Sequence, residues 1–325
     1  PRSTTATLDR SRTIHLPRGT WVLEPTPLGR GGFGAVFPGK GEDGREVAVK
    51  QLDPLGKLPI DRELQVTEGL VGRNCAHVIP ILDVGRDATG DVFIVMARAT
   101  ESLDVFLTKR GARPEGEAID VLRQIVAGLE EIGDVVHRDL KPANVLLHEG
   151  RWKVADFGLV RLADAATSTH TVKLAFTPPY AAPEQWLGER ATHATDVYSL
   201  GCPAHTLFTG APPFPGPAVE DLRAQHRGQA PAPLSVSPPL QHLLSRCLQK
   251  LPDSRPSLVE VREGLERAAN PGPSKPLLGL QQVAAGLAAA QAADDAARAA
   301  RLHEAEERRR LADAGMQSGR GLLKE

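Results

Sequence analysis

The sequence predicts an α+β protein in which a strand-rich part precedes a larger helical part. Residues 46–52 (EVAVKQL) and 91–99 (DVFIVMARA) combine β-branched residues with turn residues at their edges, which is typical of strands. Residues 117–132 (EAIDVLRQIVAGLEEI) carry apolar residues at helical spacing, and residues 193–210 end in glycine, as helices often do. We therefore expect two lobes, a small β-rich one with one main helix and a larger helical one, with a ligand cleft between them.

Four segments follow from the changes in composition along the chain. The first is polar, the second alternates strand-like and helix-like stretches, the third (ANPGPSKP) is a cluster of helix breakers, and the fourth is rich in Ala, Arg and Glu. We expect a flexible segment over 1–20, a folded domain over 21–268 (lobes about 21–99 and 100–268), a linker over 269–276 and a helical tail over 277–325.

The tail has strong helix-forming residues throughout. Leu280, Val283 and Leu287 begin a heptad-like seam, but alanines replace large residues after it. Two alternatives stay open: a solvated helix, or a helix that docks on the preceding domain, on another protein or on a second copy.

Composition excludes several classes of function. The formal net charge of the 325 residues is −1, so no global positive field favours nucleic acid or an anionic membrane as a partner. No stretch approaches the roughly 20 apolar residues that a membrane helix needs. The three cysteines lie far apart without metal-ligand spacing, which favours a reducing compartment. We expect a cytoplasmic protein without a membrane span in this chain.

Glycines cluster in residues 28–37 (LGRGGFGAVF), where Gly29, Gly31 and Gly34 form a G-x-G-x-x-G pattern. A backbone without Cβ atoms can approach a phosphate closely and donate N–H groups to its oxygens. By itself the pattern fits a glycine-rich hairpin turn as well as a phosphate loop. A nicotinamide dinucleotide site is disfavoured, because it needs a helix after the third glycine and strand-like residues follow here.

Lys50 lies among apolar residues of a predicted strand. A buried ammonium is costly unless it is paired, so either the lysine reaches solvent or it binds phosphate oxygens and a carboxylate. Glu63 on the following helix is the first choice for that carboxylate. Glu68 is the second, because Thr67 stands where an apolar residue is expected one turn after Glu63.

Residues 137–147 (HRDLKPANVLL) collect polar groups directly before an apolar run. The segment fits a solvated turn ahead of a buried strand. It also fits a catalytic loop in which Asp139 handles a proton and Asn144 holds a metal ion.

The order of the motifs resembles the protein kinase family: the glycine loop, VAVK, HRDLKPAN, DFG (156–158) and APE (182–184). The resemblance covers about residues 21–268 and implies the bilobal kinase fold. Lys141 in DLKPAN resembles the serine/threonine subclass of eukaryotic-like kinases. The abundance of Arg, Ala and Pro indicates a bacterial source.

Site residues follow from this resemblance. Asp139 is implied as the catalytic base, with Lys141, Lys50 and Glu63 as further catalytic residues. Asn144 and Asp156 are implied as Mg²⁺ ligands, because that ion prefers hard oxygen donors. The implied ATP-binding residues are Leu28, Gly29, Gly31, Gly34, Val36, Ala48, Lys50, Met96, Ala97, Ala99, Asn144, Leu146 and Asp156.

Within that set, Met96 resembles the gatekeeper, and the backbone of Ala97 and Ala99 would bind the adenine base. Val36, Ala48 and Leu146 would sandwich its ring. The alternative is that these are ordinary core residues of strands.

The segment between DFG and APE resembles an activation loop. Arg138 would pair with a phosphate on this loop; a merely flexible polar loop is the alternative. Its candidate phosphorylation sites are Thr167, Ser168, Thr169 and Thr171. The resemblance also implies a structural ion pair between Glu184 and Arg255.

We therefore expect an ATP- and Mg²⁺-dependent serine/threonine protein kinase that modifies protein substrates and itself. A nucleotide-binding pseudokinase or scaffold is disfavoured, because Lys50, Asp139, Asn144 and Asp156 are all present. A small-molecule phosphotransferase is disfavoured, because the activation loop and the APE segment build a platform for a protein chain.

Overall fold

A computed structural model describes residues 11–31, 34–53, 64, 67–133, 135–157, 176–270 and 278–321. The chain divides into two units, described one at a time below. The first comprises residues 1–111 and 120–176, and the second comprises residues 112–119 and 177–325.

The first unit contains an antiparallel sheet in the order β1-β2-β4-β5-β7-β6, with β3 paired to β4. A smaller antiparallel sheet has the order β10-β9-β8. The strands of the two sheets are β1 (Arg12–Leu16), β2 (Gly19–Leu23), β3 (Gly29–Gly31), β4 (Gly34–Gly41), β5 (Glu46–Leu52), β6 (Ile81–Arg86), β7 (Val92–Ala97), β8 (Glu101–Ser102), β9 (Val145–His148) and β10 (Arg151–Val154).

The first two helices with described bounds are α1 (Leu103–Arg110) and α2 (Glu115–Glu131). Leu64, Thr67 and Glu68 are also helical, within the predicted helix after β5. Ser102 begins α1, because its side-chain oxygen accepts a hydrogen bond from the Val105 N–H.

The local predictions of strands and helices are confirmed. The segments 46–52 and 91–99 contain β5 and β7, and the segment 117–132 contains nearly all of α2. The remaining predicted helix ends at Thr209, followed by Gly210 in the left-handed conformation that favours glycine.

The expectation of a flexible segment over residues 1–20 is wrong for residues 12–20. Arg12–Leu16 pairs with Gly19–Leu23 in a hairpin. Ile14 and Leu16 are buried with Trp21 and Leu23 in the core of the large sheet. Apolar and polar residues alternate here, as in a half-buried strand. The sequence analysis instead took the polar residues as a sign of a loose segment.

The predicted lobe boundary near residue 99 also differs from the division into units. The small sheet belongs to the first unit, because it is hydrogen-bonded to the segment before β6. The Ile79 N–H donates to the Val154 carbonyl at 2.9 Å, and the Val154 N–H donates to the His77 carbonyl at 2.8 Å. Gly128 of α2 packs so closely that an added Cβ would lie 2.4 Å from the His77 carbonyl oxygen.

The second unit is helical. A fully buried residue of its longest internal helix, Tyr198, packs with Ala182, Cys202 and Leu248. The helices are α3 (Pro183–Trp186), α4 (His193–Thr209), α5 (Val219–Gly228), α6 (Pro238–Cys247), α7 (Leu258–Ala269) and α8 (Leu278–Gly321).

The tail forms the helix that the sequence predicts, and α8 packs against α5 and α6 of its own unit. Its less exposed side chains recur at three- or four-residue spacing, as on one helical face. Arg227 of α5 lies 3.4 Å from the His303 ring. Between the two alternatives, the described part of the tail docks on the preceding domain.

In the part of the chain that the structure describes, no helix is long and apolar enough to cross a membrane.

Candidate active site

The glycine-rich segment forms a hairpin of β3 and β4. The Leu28 N–H donates to the Val36 carbonyl at 2.7 Å, and Gly29 pairs with Val36. Gly34 has a φ of 142°, and a Cβ there would lie 2.0 Å from the Gln51 carbonyl oxygen, so only glycine fits. A strand follows the third glycine, so the helix that a nicotinamide site requires does not begin there.

Lys50 on β5 is buried rather than turned to solvent. Its Nζ donates to Oδ2 of Asp156 at 2.8 Å, across 106 residues of sequence. Glu63, the predicted partner, lies outside the described residues. Glu68, the second choice, is exposed. The carboxylate that meets the lysine in the described structure is therefore Asp156.

Asp156 has a left-handed backbone with a φ of 63°, and its carboxylate meets Lys50. Burial by itself would raise the pKa of Asp156. The charge and hydrogen bond of Lys50, with smaller contributions from His137 and Lys141, hold that pKa below its ordinary value. The side chain is 28% exposed, so an ionised carboxylate remains open to a ligand.

His137 connects the loop that carries Asp139 to the segment that leads to Asp156. The sequence analysis did not assign this role to it. The Asp139 N–H donates to Nδ1 of His137 at 3.3 Å, which leaves Nε2 as the donor nitrogen of the ring. That Nε2 donates to the Ala155 carbonyl at 2.8 Å, and the ring lies 5.2 Å from the Phe157 ring. His137 therefore holds the loop of Asp139 against the residues around Asp156.

Asp139, Lys141 and Asn144 form one hydrogen-bonded group. Lys141 Nζ donates to Oδ2 of Asp139 at 2.7 Å. The Asn144 amide donates to the Asp139 carbonyl at 2.8 Å and more weakly to its Oδ2 at 3.4 Å. The Ala155 N–H donates to the Asn144 carbonyl at 2.9 Å, which ties Asn144 to the strand leading to Asp156. The structure thus gathers these three residues and, through Ala155, links them to the Lys50–Asp156 pair.

The oxygen donors at this site fit a magnesium ion. Because the Asn144 side-chain nitrogen is used by Asp139, the amide oxygen is the atom left for a cation. Asp156 adds an ionised carboxylate with one oxygen that accepts no hydrogen bond from the described residues. Carboxylate and amide oxygens are hard ligands, as Mg²⁺ requires.

The predicted adenine residues lie on three neighbouring strands and on β9. Ala48 and Met96 are buried and face each other across β5 and β7. Val36 pairs with Lys50 across β4 and β5, and Leu146 is half-buried on β9. Val36, Ala48 and Met96 therefore share the sheet face that carries Lys50.

The end of β7 limits which backbone groups could bind the adenine base. The Ala97 N–H already donates to the Pro80 carbonyl at 2.9 Å, so its carbonyl is the group that could meet a base. Ala99 is half-buried just beyond the end of β7, and Leu28 is 51% exposed at the start of the glycine segment.

A small cavity adjoins Asp156, and the sequence analysis did not foresee it. Thr67, the polar residue that interrupts the predicted helix pattern, is buried in its wall. The lining residues are Thr67, Leu70, Ile81, Ile94, Met96, Asp156 and Phe157.

In the second unit, the predicted ion pair of Glu184 and Arg255 is confirmed. Arg255 donates to both carboxylate oxygens of Glu184, at 2.7 and 2.8 Å. The candidate phosphorylation sites Thr167, Ser168, Thr169 and Thr171 lie outside the described residues, so they stay predictions.

Residues 24–264 match the model of the protein kinase domain. The chain is 32% identical over 277 residues to the serine/threonine-protein kinase PkaA of Streptomyces coelicolor, covering 78% of this chain and 51% of that protein. It is 32% identical over 271 residues to the serine/threonine-protein kinase pkn2 of Myxococcus xanthus, covering 74% and 32%. The corresponding values for the serine/threonine-protein kinase PknD of Mycobacterium tuberculosis are 32% over 247 residues, 70% and 36%.

The aligned part thus spans between about a third and about half of the length of these curated relatives. All three are bacterial proteins named as serine/threonine kinases, which agrees with the subclass that Lys141 indicates. With a family match over most of its length and a Lys50–Asp156 pair beside the Asp139 loop, this chain belongs to the protein kinase family.

Proposed function

We propose that this chain is an ATP- and Mg²⁺-dependent protein kinase that transfers the γ-phosphoryl group of ATP to serine and threonine hydroxyls of proteins. The observation that carries the proposal is the convergence of Lys50 and Asp156 at 2.8 Å, next to the hydrogen-bonded group of Asp139, Lys141 and Asn144. Phosphoryl transfer needs positioning and charge neutralisation more than covalent chemistry by the protein, and these side chains supply both.

Each side chain has a distinct task in this proposal. The Lys50 amine binds phosphate oxygens of ATP, and the Asp139 carboxylate accepts a hydrogen bond from the attacking substrate hydroxyl. Lys141, 2.7 Å from Asp139, places positive charge where the transferred group carries negative charge. Asp156 and Asn144 would hold Mg²⁺, which when bound neutralises charge on the phosphates.

The base would lie against Val36, Ala48, Met96 and Leu146, with the Ala97 carbonyl and the Ala99 backbone as hydrogen-bonding groups. Leu28, Gly29, Gly31 and Gly34 would cover the nucleotide from the hairpin side. The free thiols of the cysteines fit a reducing, ATP-containing cytoplasm.

A transfer assay with γ-labelled ATP tests the proposal, using casein and the chain itself as acceptors. Wild type should transfer phosphate, and Asp139→Asn should lower the rate by at least about a hundredfold, because a neutral amide cannot take up the hydroxyl proton as a carboxylate can. Asp43→Asn, the same change in an exposed turn, is the matched control and should keep the wild-type rate. Equal transfer by wild type and Asp139→Asn contradicts the proposal, and phosphotyrosine as the main product contradicts the residue specificity.

The proposal includes autophosphorylation at Thr167, Ser168, Thr169 or Thr171, with Arg138 as the partner of the new phosphate. Mass spectrometry after incubation with ATP should find phosphate in this segment of the wild type and none in Asp139→Asn. Phosphate found only elsewhere in the chain contradicts this part of the proposal.

A further inference from the structure

A hairpin that precedes the family-matched residues closes the large sheet of the first unit. The protein kinase match begins at residue 24, whereas β1 and β2 occupy residues 12–23. Strand β1, at one end of the strand order, contacts β6 at the other end. The apolar side chains that the hairpin shares with β5 and β7 in one core are Ile14, Leu16, Trp21, Leu23, Val47, Val49, Phe93 and Val95.

A buried carboxylate on β6 anchors the turn of this hairpin. Oδ2 of Asp83 accepts hydrogen bonds from Trp21 Nε1 at 2.9 Å and from the Arg18 N–H at 3.1 Å, and Oδ1 accepts one from the Val84 N–H. A buried carboxylate is tolerated when its oxygens are hydrogen-bonded in this way. The hairpin is thus attached to β6 by polar as well as apolar contacts.

Arg12 attaches the hairpin to the turn between β6 and β7. Its Nη2 donates to Asp87 at 2.6 Å and to Asp91 at 2.9 Å, and its guanidinium lies 5.0 Å from the Phe93 ring centre. Burial would raise the pKa of Asp87, but hydrogen bonds from Thr89 and Arg12 outweigh it and lower that pKa. Asp87 therefore stays ionised and holds Arg12 in place.

The same network reaches the strand that carries Lys50. Oδ2 of Asp91, which accepts the bond from Arg12, also accepts one from Gln51 Nε2 at 3.0 Å. Gln51 directly follows Lys50, and its carbonyl is the atom that a Cβ at Gly34 would meet at 2.0 Å. Gln51 thus lies between the Arg12 network and the two parts of the proposed phosphate site, which are Lys50 and the glycine hairpin.

We propose that Arg12 is a positioning residue for the nucleotide site, an inference that rests on the proposed kinase function. Arg12 orients Asp91, Asp91 orients Gln51, and Gln51 keeps the end of β5 in register with the glycine hairpin. Lys50 thereby keeps its amine at Asp156 and in place for phosphate oxygens. The nucleotide-binding part of this chain therefore begins at Arg12, twelve residues before the family match.

The test is Arg12→Met in the full chain. We expect the KM for ATP to rise about five- to tenfold while the KM for casein stays unchanged, because only the nucleotide site is displaced. The Kd for ATP, measured by isothermal titration calorimetry, should rise by the same factor. A purely structural role would reduce the amount of active protein and lower kcat without changing either constant for ATP.

Three further variants sharpen the test. Arg45→Met is the matched control, because Arg45 and its partner Asp43 are both 59% exposed in the turn between β4 and β5, and it should leave both constants unchanged. Arg12→Lys should restore part of the ATP affinity, since an ammonium keeps the charge but not the planar fork. Gln51→Leu removes the hydrogen bond from Gln51 to Asp91 and should reproduce the effect of Arg12→Met. If Arg12→Met does not fold, Gln51→Leu decides the question.

The outcomes separate the two proposals. Wild type that binds ATP but transfers no phosphate overturns the proposed function, while the Kd series still decides the role of Arg12. Active wild type with unchanged KM and Kd for ATP in Arg12→Met and Gln51→Leu overturns the positioning role alone.

Discussion

Two ion pairs, one in each unit, differ in burial and in how fully the protein uses their hydrogen-bonding groups. Glu184 and Arg255, with side chains 4% and 0% exposed, share two bonds and leave no open face. Lys50 and Asp156 share a single 2.8 Å bond, and the Asp156 side chain is 28% exposed. The carbonyls that accept the remaining donors of Arg255 belong to Ala194, Gln249 and Lys250.

The difference distinguishes an ion pair with a purely structural role from one that can bind a ligand. A pair whose groups are all used can only hold its surroundings together. A pair with a carboxylate oxygen and ammonium hydrogens that no described residue uses can bind a ligand. Thr195 completes the contrast, because its hydroxyl donates to Glu184 at 2.8 Å and closes that carboxylate further. We therefore expect substitutions at the two pairs to affect different measured quantities.

The largest expected effect on stability is that of Glu184→Gln. The free energy of unfolding should fall by about 3–5 kcal/mol, because Arg255 stays buried without a counter-charge. Urea unfolding measures this value. Glu304→Gln, at an exposed pair on α8, is the control and should change it by less than about 0.5 kcal/mol. If Glu184→Gln lowers the free energy of unfolding by less than about 1 kcal/mol, the structural role assigned to this ion pair is wrong.

Asp156→Asn should instead affect the rate of phosphate transfer more than the stability of the fold. The barrier to phosphate transfer should rise on the order of 3–4 kcal/mol, a rate loss of about 10² to 10³, because an amide cannot replace the ionised ligand. Unfolding by urea should show a smaller loss of stability than Glu184→Gln, since this pair is partly exposed and the amide oxygen can still accept from Lys50. Transfer at the wild-type rate contradicts the assignment of Asp156.

The smallest expected effect concerns Lys250, which is buried between the Phe214 ring at 4.4 Å and the Tyr198 hydroxyl at 3.2 Å. Burial, with a further contribution from the charge of Arg255, lowers its pKa to about 7. Between pH 7 and 9 the unfolded chain keeps a proton that the folded chain releases. Folding stability should therefore rise with pH by up to about 1.4 kcal/mol per unit.

Lys250→Met isolates this contribution, because the methionine does not titrate. The difference in unfolding free energy between wild type and variant, measured in urea at pH 7, 8 and 9, should shift in favour of the wild type as pH rises. A difference independent of pH would contradict the lowered pKa of Lys250.

The success of the sequence predictions followed the range of the interactions concerned. Strand β5 and helix α4 depend on patterns within 7 and 17 residues, so their types and approximate bounds were predictable. The contact between Lys50 and Asp156 was not predictable locally, because Asp156 lies 106 positions away and no local pattern indicates it. The anchoring of Arg12 by Asp87 and Asp91 also spans long separations, of 75 and 79 positions.

His137 shows a different limit. Its place in the HRD motif was recognised, but its role depends on two backbone groups, the Asp139 N–H and the Ala155 carbonyl. Every residue carries such groups, so sequence alone cannot indicate which of them face a particular ring.

By itself the sequence determined which chemical groups the protein has and in what order, and that order was enough to indicate the kinase family. Only the tertiary structure decided which charges meet, which carboxylate stays open and which segment before the family match completes the sheet. The physical reason is that electrostatic and packing energies depend on separation in space, and folding brings together residues such as Arg12 and Asp91 that the chain keeps far apart.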